Sequence, residues 1–236
     1  MERKLIITSD GSHSLFVPEL NEHYHSTHGA IQESRHVFID AGYKHLQQKG
    51  KRDLAVLEIG MGTGLNVLLT CIEAARDNTQ ITYTALEAFP LLADFAAQLN
   101  YPAELAKETS SESESVRLEI KKASEIFSLI HSCEAGSAIQ ITNNLTLLKI
   151  NDSLQNAKLD SCFDLIYFDA FGPAVQPEMW TDDIFEKMFS CLNSRGCLVT
   201  YCAKGEVKRV LKRAGFIIES IPGPPGKREM VRALKN

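Results

Sequence analysis

Two acidic residues stand at the ends of apolar segments, in positions where open α/β sheets bind their ligands. The segment "LAVLEIGMGTGLN" ends its apolar run at Glu58 and continues into a loop with three glycines, Gly60, Gly62 and Gly64. The segment "FDLIYFDAFGPAVQPEMW" ends its apolar run at Asp169. A carboxylate there can accept a hydrogen bond or a proton from a ligand, or it can cap the next turn. The surrounding elements must decide between these two possibilities.

The spacing of the glycines distinguishes between classes of ligand. Glycine permits a tight turn and a close approach of the backbone to a ligand, because it has no Cβ atom. The pattern here is G-x-G-x-G, and Leu65 stands where the third glycine of the dinucleotide fingerprint G-x-G-x-x-G would fall. The P-loop pattern G-x-x-x-x-G-K-[ST] does not occur in the sequence. Glu58 would repel a pyrophosphate and suits a cationic ligand.

Strand and helix patterns alternate along the centre of the chain and must position these residues. Five apolar segments have the pattern of buried strands: "LAVLEIG", "ITYTALEA", "LTLLKI", "FDLIYFDA" and "GCLVTYC". Helical patterns run from Leu65 to Arg76, after Pro90, through "MWTDDIFEKMFSCL" and from Glu206 to Ala214. This alternation predicts an α/β fold with a mostly parallel sheet and helices on both faces.

The flanking segments predict additions to this sheet. "KLIITSDGSHSLFV" predicts a hairpin around Asp10 and Gly11, and the chain becomes helical near Ile31 to Ala41. Residues 103–140 have an irregular helical pattern, with "ETSSESESVR" as an exposed polar bend. "FIIESI" and "REMVRAL" predict an antiparallel C-terminal hairpin. We therefore expect an N-terminal hairpin and helical element at residues 1–48, packed on one globular unit at residues 49–236.

Composition indicates a soluble cytoplasmic protein. Of the 236 residues, 44% are hydrophobic and 23% are charged, which is typical of a globular domain. The sequence has no apolar run of membrane-spanning length and does not begin like a signal peptide. Its six cysteines lie mostly in apolar segments and form no CxxC pair, so we expect reduced thiols rather than disulfides or a zinc site.

Charge is unevenly distributed along the chain. The net charge is −5, but the segment from Lys204 to Asn236 contains nine basic and three acidic residues. A solvated helix face explains part of this excess, and a phosphate-binding patch is the alternative. On the helix after the fifth strand, positions 208, 209, 212 and 213 share a face. In the hairpin turn that follows, Lys227 and Arg228 are expected to project from the sheet edge.

The glycine loop resembles the S-adenosylmethionine loop of class I methyltransferases, which have the pattern E-x-G-x-G-x-G after the first core strand. The resemblance implies that Glu87, at the next strand end, accepts the ribose hydroxyls and that Asp152-Ser153 contacts the adenine. An Asx-turn or a helix cap remains the alternative for Asp152-Ser153. The residues expected to bind the cofactor are Tyr24, Ser26, Glu58, Gly60, Met61, Gly62, Gly64, Asn66, Glu87, Asp152, Ser153 and Asp169.

Three further motifs resemble one family more closely, the tRNA 5-aminomethyl-2-thiouridine methyltransferases. "FDAFGPAVQPEMW" resembles their "DxFxPxxxPxMW" signature. "YHSTHGAIQESRHVF" is similar to their N-terminal "YxSxxxGxxExRxVF" element, with the glycine displaced by one place, and "GPPGKREMVRA" to their C-terminal "GxGxKREM". This family corresponds to the methyltransferase half of the bifunctional MnmC-type wobble-uridine enzyme. The matches run from about Tyr24 to Met230, and residues 103–140 contribute nothing to them.

The family resemblance implies a Rossmann-like class I fold with an added N-terminal element, and a defined reaction. The primary amine of 5-aminomethyl-(2-thio)uridine, at the wobble position of a tRNA anticodon, would take a methyl group from S-adenosylmethionine, with Asp169 orienting the amine or accepting its proton. The resemblance also implies that Tyr24 and Ser26 fold over the cofactor, while Glu33 and Arg35 anchor that segment. The residues expected to contact substrate are Phe171, Gly172, Pro173, Trp180, Lys227 and Arg228. Packing is the alternative for Trp180.

Further expectations concern partners. With no flavin-binding domain in the chain, the aminomethyl uridine would have to be supplied by upstream enzymes. No metal is expected, since the histidines of "HYHSTH" lack a completing ligand at suitable spacing. The competing functions are an aminopropyltransferase of the spermidine-synthase type, a small-molecule amine N-methyltransferase, and a non-catalytic RNA-binding or cofactor-sensing module.

Overall fold

A computed structural model describes residues 2–107, 114–159 and 162–236. The strands are β1 (Lys4–Ile7), β2 (His13–Val17), β3 (Glu22–His23), β4 (Asp53–Ile59), β5 (Gln80–Leu86), β6 (Ala138–Thr142), β7 (Leu145–Ile150), β8 (Phe163–Phe168), β9 (Leu192–Thr200), β10 (Ile217–Pro222) and β11 (Glu229–Leu234). The helices are α1 (Ala30–Ser34), α2 (Lys44–Gln48), α3 (Leu65–Asp77), α4 (Ala93–Ala96), α5 (Tyr101–Ala106), α6 (Glu114–Lys121), α7 (Ala123–Ser132), α8 (Asp182–Cys191) and α9 (Gly205–Arg213). A π-helical segment (Arg35–Tyr43) joins α1 to α2, and a 3₁₀ turn (Pro177–Met179) precedes α8.

The main sheet has the architecture that the alternating pattern predicts. Its strands within the described ranges follow the order β10–β11–β9–β8–β4–β5–β7–β6. The five central strands, from β9 to β7, are parallel. The C-terminal hairpin joins β9 antiparallel through β11, as expected. Strand β8 lies beside β4 with Phe168 opposite Ile59, so Asp169 and the glycine loop leave the sheet side by side.

Burial on both faces explains why these segments form central strands. Every residue of β8 is buried, and Val56 and Leu57 on β4 belong to two different hydrophobic clusters. One cluster includes the side chains of α3 and the π-helical segment, and the other includes those of α8 and α9. Each large apolar side chain removed from water stabilises the fold by about 1.5–3 kcal/mol. This two-sided core fixes the carboxyl ends of the strands, where the loops gather.

The N-terminal segment forms its own three-stranded sheet, β1–β2–β3, and caps the helix that follows. The predicted hairpin turn brings Asp10 Oδ2 to 3.1 Å from the backbone nitrogen of Gln32, and Ser12 Oγ to 3.1 Å from that of Ala30. These hydrogen bonds satisfy N–H groups at the start of α1 that have no partner within the helix. Helical backbone continues to Gln48, beyond the expected end at Ala41. The division at residue 48 stays a prediction.

Two segments differ from the expectations. Between residues 103 and 140 the described residues include the helices α5, α6 and α7, but Ala138 begins a strand that pairs antiparallel with β7. The helix expected from Met179 instead begins at Asp182, because the side chain of Thr181 accepts a hydrogen bond from Ile184 N and caps it. Most of the expected bend "ETSSESESVR" lies outside the described residues. No helix in the described ranges has both the length and the apolar character needed to cross a membrane.

Candidate active site

A cavity of about 600 Å³ opens at the carboxyl edge of the sheet. Its walls come from the loops after β4, β5, β7 and β8, together with the N-terminal segment and the β10–β11 turn. The expected site residues that line it are Tyr24, Ser26, Gly60, Met61, Gly62, Asn66, Glu87, Asp152, Ser153, Asp169, Phe171 and Lys227. The expected residues that are not among its described lining are Glu58, Gly64, Gly172, Pro173, Trp180 and Arg228.

The cavity is strongly acidic. Its described lining includes one lysine, Lys227, and six carboxylates: Glu22, Glu33, Glu87, Asp152, Asp169 and Glu178. Such a lining favours a cationic ligand and disfavours a phosphate, because like charges repel in a partly desolvated site. A cationic ligand is therefore favoured by carboxylates other than Glu58, which is buried away from the cavity.

The glycine loop needs its glycines for two physical reasons. Gly60 and Gly62 have φ angles of +83° and +50°, a region that residues with a Cβ rarely adopt. A Cβ on Gly60 would also lie 2.7 Å from the carbonyl oxygen of Asp169, and a Cβ on Gly62 would lie 3.1 Å from the Tyr24 ring. The loop is thus packed between the end of β8 and the N-terminal segment. Gly64 serves as the left-handed N-cap of α3.

Beneath the loop, four polar side chains form a network of hydrogen bonds. Glu58 is fully buried and accepts hydrogen bonds from Tyr83 Oη at 2.9 Å and Asn66 Nδ2 at 2.8 Å. Asn66 Nδ2 also donates to Asp169 Oδ2 at 3.2 Å. Burial raises the pKa of Glu58 well above its usual value. Burial, together with the negative charge of Glu33, raises the pKa of Asp169 to about 8.

The residues expected to hold the ribose and adenine lie on one side of the cavity. Glu87 accepts backbone hydrogen bonds at both oxygens, from Gly62 N and from Phe89 N, each at 2.8 Å. These bonds fix the carboxylate and leave further lone pairs for ligand hydroxyls. Asp152 Oδ1 accepts from Ser153 N at 2.7 Å. A local hydrogen bond of this kind is expected if Asp152-Ser153 forms a turn, which is the alternative interpretation. The contact with adenine stays a prediction.

The loop after Asp169 is held from both ends, and Trp180 acts on it indirectly. The Trp180 indole packs against Phe168 and Phe185, is 5% exposed, and donates to the carbonyl of Phe171 at 2.8 Å. Of the two interpretations of Trp180, the geometry favours packing. Tyr201 Oη donates to the carbonyl of Ala170 at 2.9 Å. The ring of Phe171 is thereby held at the cavity.

One ion pair joins the N-terminal segment to the β10–β11 turn at the wall of the cavity. Glu33 accepts from Ser26 N at 2.6 Å and pairs with Lys227 Nζ at 2.8 Å, so Glu33 does anchor the N-terminal segment. Lys227 Nζ also lies 4.0 Å from the centroid of the Tyr201 ring. The expectation that Lys227 projects outward is wrong, because the carboxylate and the aromatic face hold its ammonium in the cavity wall.

The basic C-terminal segment is divided between paired and free side chains. Ion pairs join Lys208 to Glu229 at 2.9 Å, Arg213 to Asp182 at 2.7 Å, and Arg232 to Glu219 at 2.7 Å. The shared helix face expected for phosphate binding is therefore interrupted, because half of its positions are neutralised by carboxylates. Four exposed basic residues have no ion-pair partner among the described residues: Lys204, Arg209, Lys212 and Arg228.

Sequence reasoning missed two groups that shape the site. Tyr201 directly follows β9, so the strand-end rule that singled out Asp169 could have found it too. Tyr83 lies inside β5, where a tyrosine in a buried strand gives no sign that its hydroxyl meets Glu58. The histidines of "HYHSTH" do not converge: His25 is buried against Ser14 Oγ at 3.1 Å, whereas the His23 ring packs on Phe16. The expectation of no metal site stays a prediction.

Comparison with known proteins assigns the family. A family model described as S-adenosyl-L-methionine-dependent methyltransferase matches residues 100–236. The chain is 30% identical over 223 residues to the tRNA 5-methylaminomethyl-2-thiouridine biosynthesis bifunctional protein MnmC of Pseudomonas syringae, covering 91% of the chain and 32% of that protein. The corresponding protein of Cupriavidus metallidurans is 29% identical, with 97% of the chain and 33% of that protein covered. The chain thus spans about a third of the curated relatives that it matches.

A solved structure shares the fold. The crystal structure of MNMC2 from Aquifex aeolicus superposes with a TM-score of 0.74 at 22% identity, covering 99% of this chain and 70% of that one. These matches confirm the resemblance found in the sequence to an MnmC-type methyltransferase domain. The Rossmann-like class I fold and S-adenosyl-L-methionine as the cofactor are confirmed with it. The chain belongs to the S-adenosyl-L-methionine-dependent methyltransferases.

Proposed function

We propose that the chain methylates the primary amine of 5-aminomethyl-(2-thio)uridine at the wobble position of tRNA, giving 5-methylaminomethyl-(2-thio)uridine. The observation that carries the proposal is a half-buried carboxylate, Asp169, which lines an acidic cavity beside the cofactor loop. The MnmC relatives support the substrate, since they are named for biosynthesis of this methylaminomethyl nucleoside.

The cavity fits the cofactor chemically. S-adenosyl-L-methionine has a positively charged sulfur and an ammonium group, and acidic side chains line the cavity. Asn66 lines the cavity, and its Oδ1 atom is buried with no hydrogen-bond partner among the described residues. Glu87 would hold the ribose and Asp152 the adenine. The bound cofactor supplies an electrophilic methyl group, and the protein supplies position and proton removal.

Asp169 is suited to remove the proton from the attacking amine. An ammonium has no lone pair, so the substrate nitrogen must be neutral when it is methylated. The pKa of Asp169 is raised to about 8, so its carboxylate form is a stronger base than an exposed aspartate. The protonated form predominates below that pH and cannot accept a proton. We expect kcat to increase as the pH rises through about 8.

The mouth of the cavity offers groups for the nucleoside and its RNA. Tyr24 and Phe171 both line the cavity and make an edge-to-face pair at 5.3 Å, so a uracil ring could stack on either. Lys204 follows β9 and Arg228 follows Lys227, and both are exposed without an ion-pair partner among the described residues. We assign these two cations to phosphates of the anticodon region. The partners would be tRNA and the enzymes that make its aminomethyl group, in the cytosol, where the six free thiols would stay reduced.

The test is methyl transfer by Asp169→Asn and Asp169→Ala. With tRNA that contains the aminomethyl uridine, nucleoside mass analysis should show the methylaminomethyl product for the unaltered protein. Each variant should lose about 10²- to 10⁴-fold in kcat, the usual contribution of a general base. An unchanged circular dichroism spectrum would show that the fold persists in each variant. Turnover near that of the unaltered protein would refute the role of Asp169.

The acidic lining also favours a second candidate, methylation of a free small-molecule amine. The acidic lining would attract a free cationic amine, and such a substrate would make no use of the exposed Lys204 and Arg228. The same assay with free amines in place of tRNA distinguishes the two candidates. Faster turnover of a free amine than of tRNA would replace the RNA proposal with this one.

A further inference from the structure

One side-chain amide, that of Asn66, joins the buried carboxylate of Glu58 to the half-buried carboxylate of Asp169. Its Nδ2 atom donates to Glu58 Oε1 at 2.8 Å and to Asp169 Oδ2 at 3.2 Å. Asn66 is 3% exposed and Glu58 is not exposed at all, so the bond between them is shielded from water, whereas Asp169 is half-buried and faces the cavity. An amide nitrogen has two hydrogens, and this geometry uses both.

The bridge is anchored on the side away from the cavity. Glu58 accepts from Tyr83 Oη at its second oxygen, and Tyr83 is itself fully buried. Asn66 lies in the first turn of α3, directly after the glycine loop, so its backbone is fixed by that helix. The order Tyr83–Glu58–Asn66–Asp169 is therefore a chain of hydrogen bonds that runs from the core to the cavity.

We propose that Asn66 is a positioning residue for Asp169, holding one carboxylate oxygen so that the other is presented to the substrate amine. The proposal rests on the proposed function, in which Asp169 meets the amine. A near-isosteric leucine would leave both carboxylates without this donor, and an aspartate would add a third negative charge. Buried polar groups that lose a partner are costly, so the side chain of Asp169 would adopt other rotamers.

Removing the amide also changes the protonation of Asp169. The groups that interact electrostatically with this carboxylate are Glu33, Glu58, Glu87, Lys227 and Tyr201. Among the contacts of Asp169, the hydrogen bond from Asn66 and the charge of Lys227 lower its pKa against the effect of burial. Loss of Asn66 therefore raises this pKa further above 8, and the rise of kcat with pH moves to higher pH.

The experiment compares Asn66→Leu and Asn66→Ala with Asn193→Leu. Asn193 is the matched control, because its Nδ2 donates to a carboxylate, Asp164, at 3.0 Å outside the cavity lining. Both Asn66 variants should lose about 10²-fold in kcat, the typical effect of a misplacement of 1 Å, with the KM for tRNA little changed. A ¹³C NMR titration of the Asp169 carboxyl in the substrate-free protein should show a higher pKa.

Each outcome decides the proposal. A higher Asp169 pKa and a shifted pH profile in both Asn66 variants, with neither in Asn193→Leu, support it. An unchanged Asp169 pKa and pH profile overturn it, even if kcat falls, because a merely structural role would move neither. The titration needs no substrate, so it stays valid if the proposed nucleoside is wrong, whereas an unaltered protein inactive on tRNA refutes only the proposed function.

Discussion

The glycine loop and the basic C-terminal segment both have clear sequence patterns, yet only the loop lies as its pattern predicts. At Gly60 and Gly62 the backbone itself needs residues without a Cβ, and this requirement is evident from the local pattern G-x-G-x-G. The effect of a basic residue depends on which carboxylate lies beside it in the fold. Lys208 pairs with Glu229 and Arg213 with Asp182, contacts that cross 21 and 31 positions of the chain. A motif therefore predicts the local backbone geometry, whereas a run of basic residues does not predict which of them form ion pairs.

Gly62→Val should have the largest effect on cofactor binding. At φ +50° a side chain is strained, and the added atoms meet the Tyr24 ring and the space proposed for the cofactor. We expect S-adenosyl-L-methionine binding to fall below detection by calorimetry. The left-handed backbone alone costs roughly 1–2 kcal/mol of stability.

Gly50→Val is the matched control for that strain. Gly50 has φ +87° in an exposed turn, and no atom lies within 4 Å of the position that a Cβ would take, so it carries the backbone cost without the steric contact. Both variants should unfold at a lower temperature, and only Gly62→Val should lose the cofactor. Equal cofactor affinity in both would show that the loop does not form the cofactor cradle.

The difference between local geometry and long-range contacts also explains which features of the molecule are predictable from the sequence. The buried strands, the glycine loop and the position of Asp169 beside it follow from apolar runs and their ends. Strand β6 could not be seen, since its alternation "AIQIT" is short and follows directly on helical residues. The packing of Trp180 and the position of Lys227 do not follow from the sequence, because their partners lie in other elements, Phe168 in β8 and Glu33 in α1. Asn66 is expected from the sequence only to bind the cofactor, and its contacts with Glu58 and Asp169 are evident only in the fold.

Reversing the free cations near the cavity should have an intermediate effect, on tRNA alone. In the double variant Lys204→Glu, Arg228→Glu we expect a higher KM for tRNA and an unchanged affinity for S-adenosyl-L-methionine. If each residue contacts one phosphate, the dependence of log K on log salt should become shallower by about 1.4–1.8. The measurement is tRNA binding at several salt concentrations.

The control changes the net charge equally at the opposite edge of the sheet. Lys49 and Arg52 are exposed and precede β4, whereas the cavity lies beyond the end of that strand. Lys49→Glu, Arg52→Glu should leave the salt dependence nearly unchanged. An equal effect of both double variants would mean that net charge, and not a local contact, governs tRNA binding.

Replacing the paired cation Lys208 should have the smallest effect, and on stability rather than on tRNA. Its hydrogen bond and charge lower the pKa of Glu229 below the usual 4.5. A carboxyl with a lowered pKa adds stability above its unfolded pKa, and that stability is lost as the pH falls through its folded pKa. Lys208→Met should therefore lower Tm at pH 7 by less than about 4 °C, and the difference should disappear as the pH falls through the folded pKa of Glu229. Lys208→Met could instead weaken tRNA binding as much as the change at Lys204 and Arg228 does. That outcome would show that a lysine in an ion pair still binds RNA, and the contrast between paired and free cations would fail.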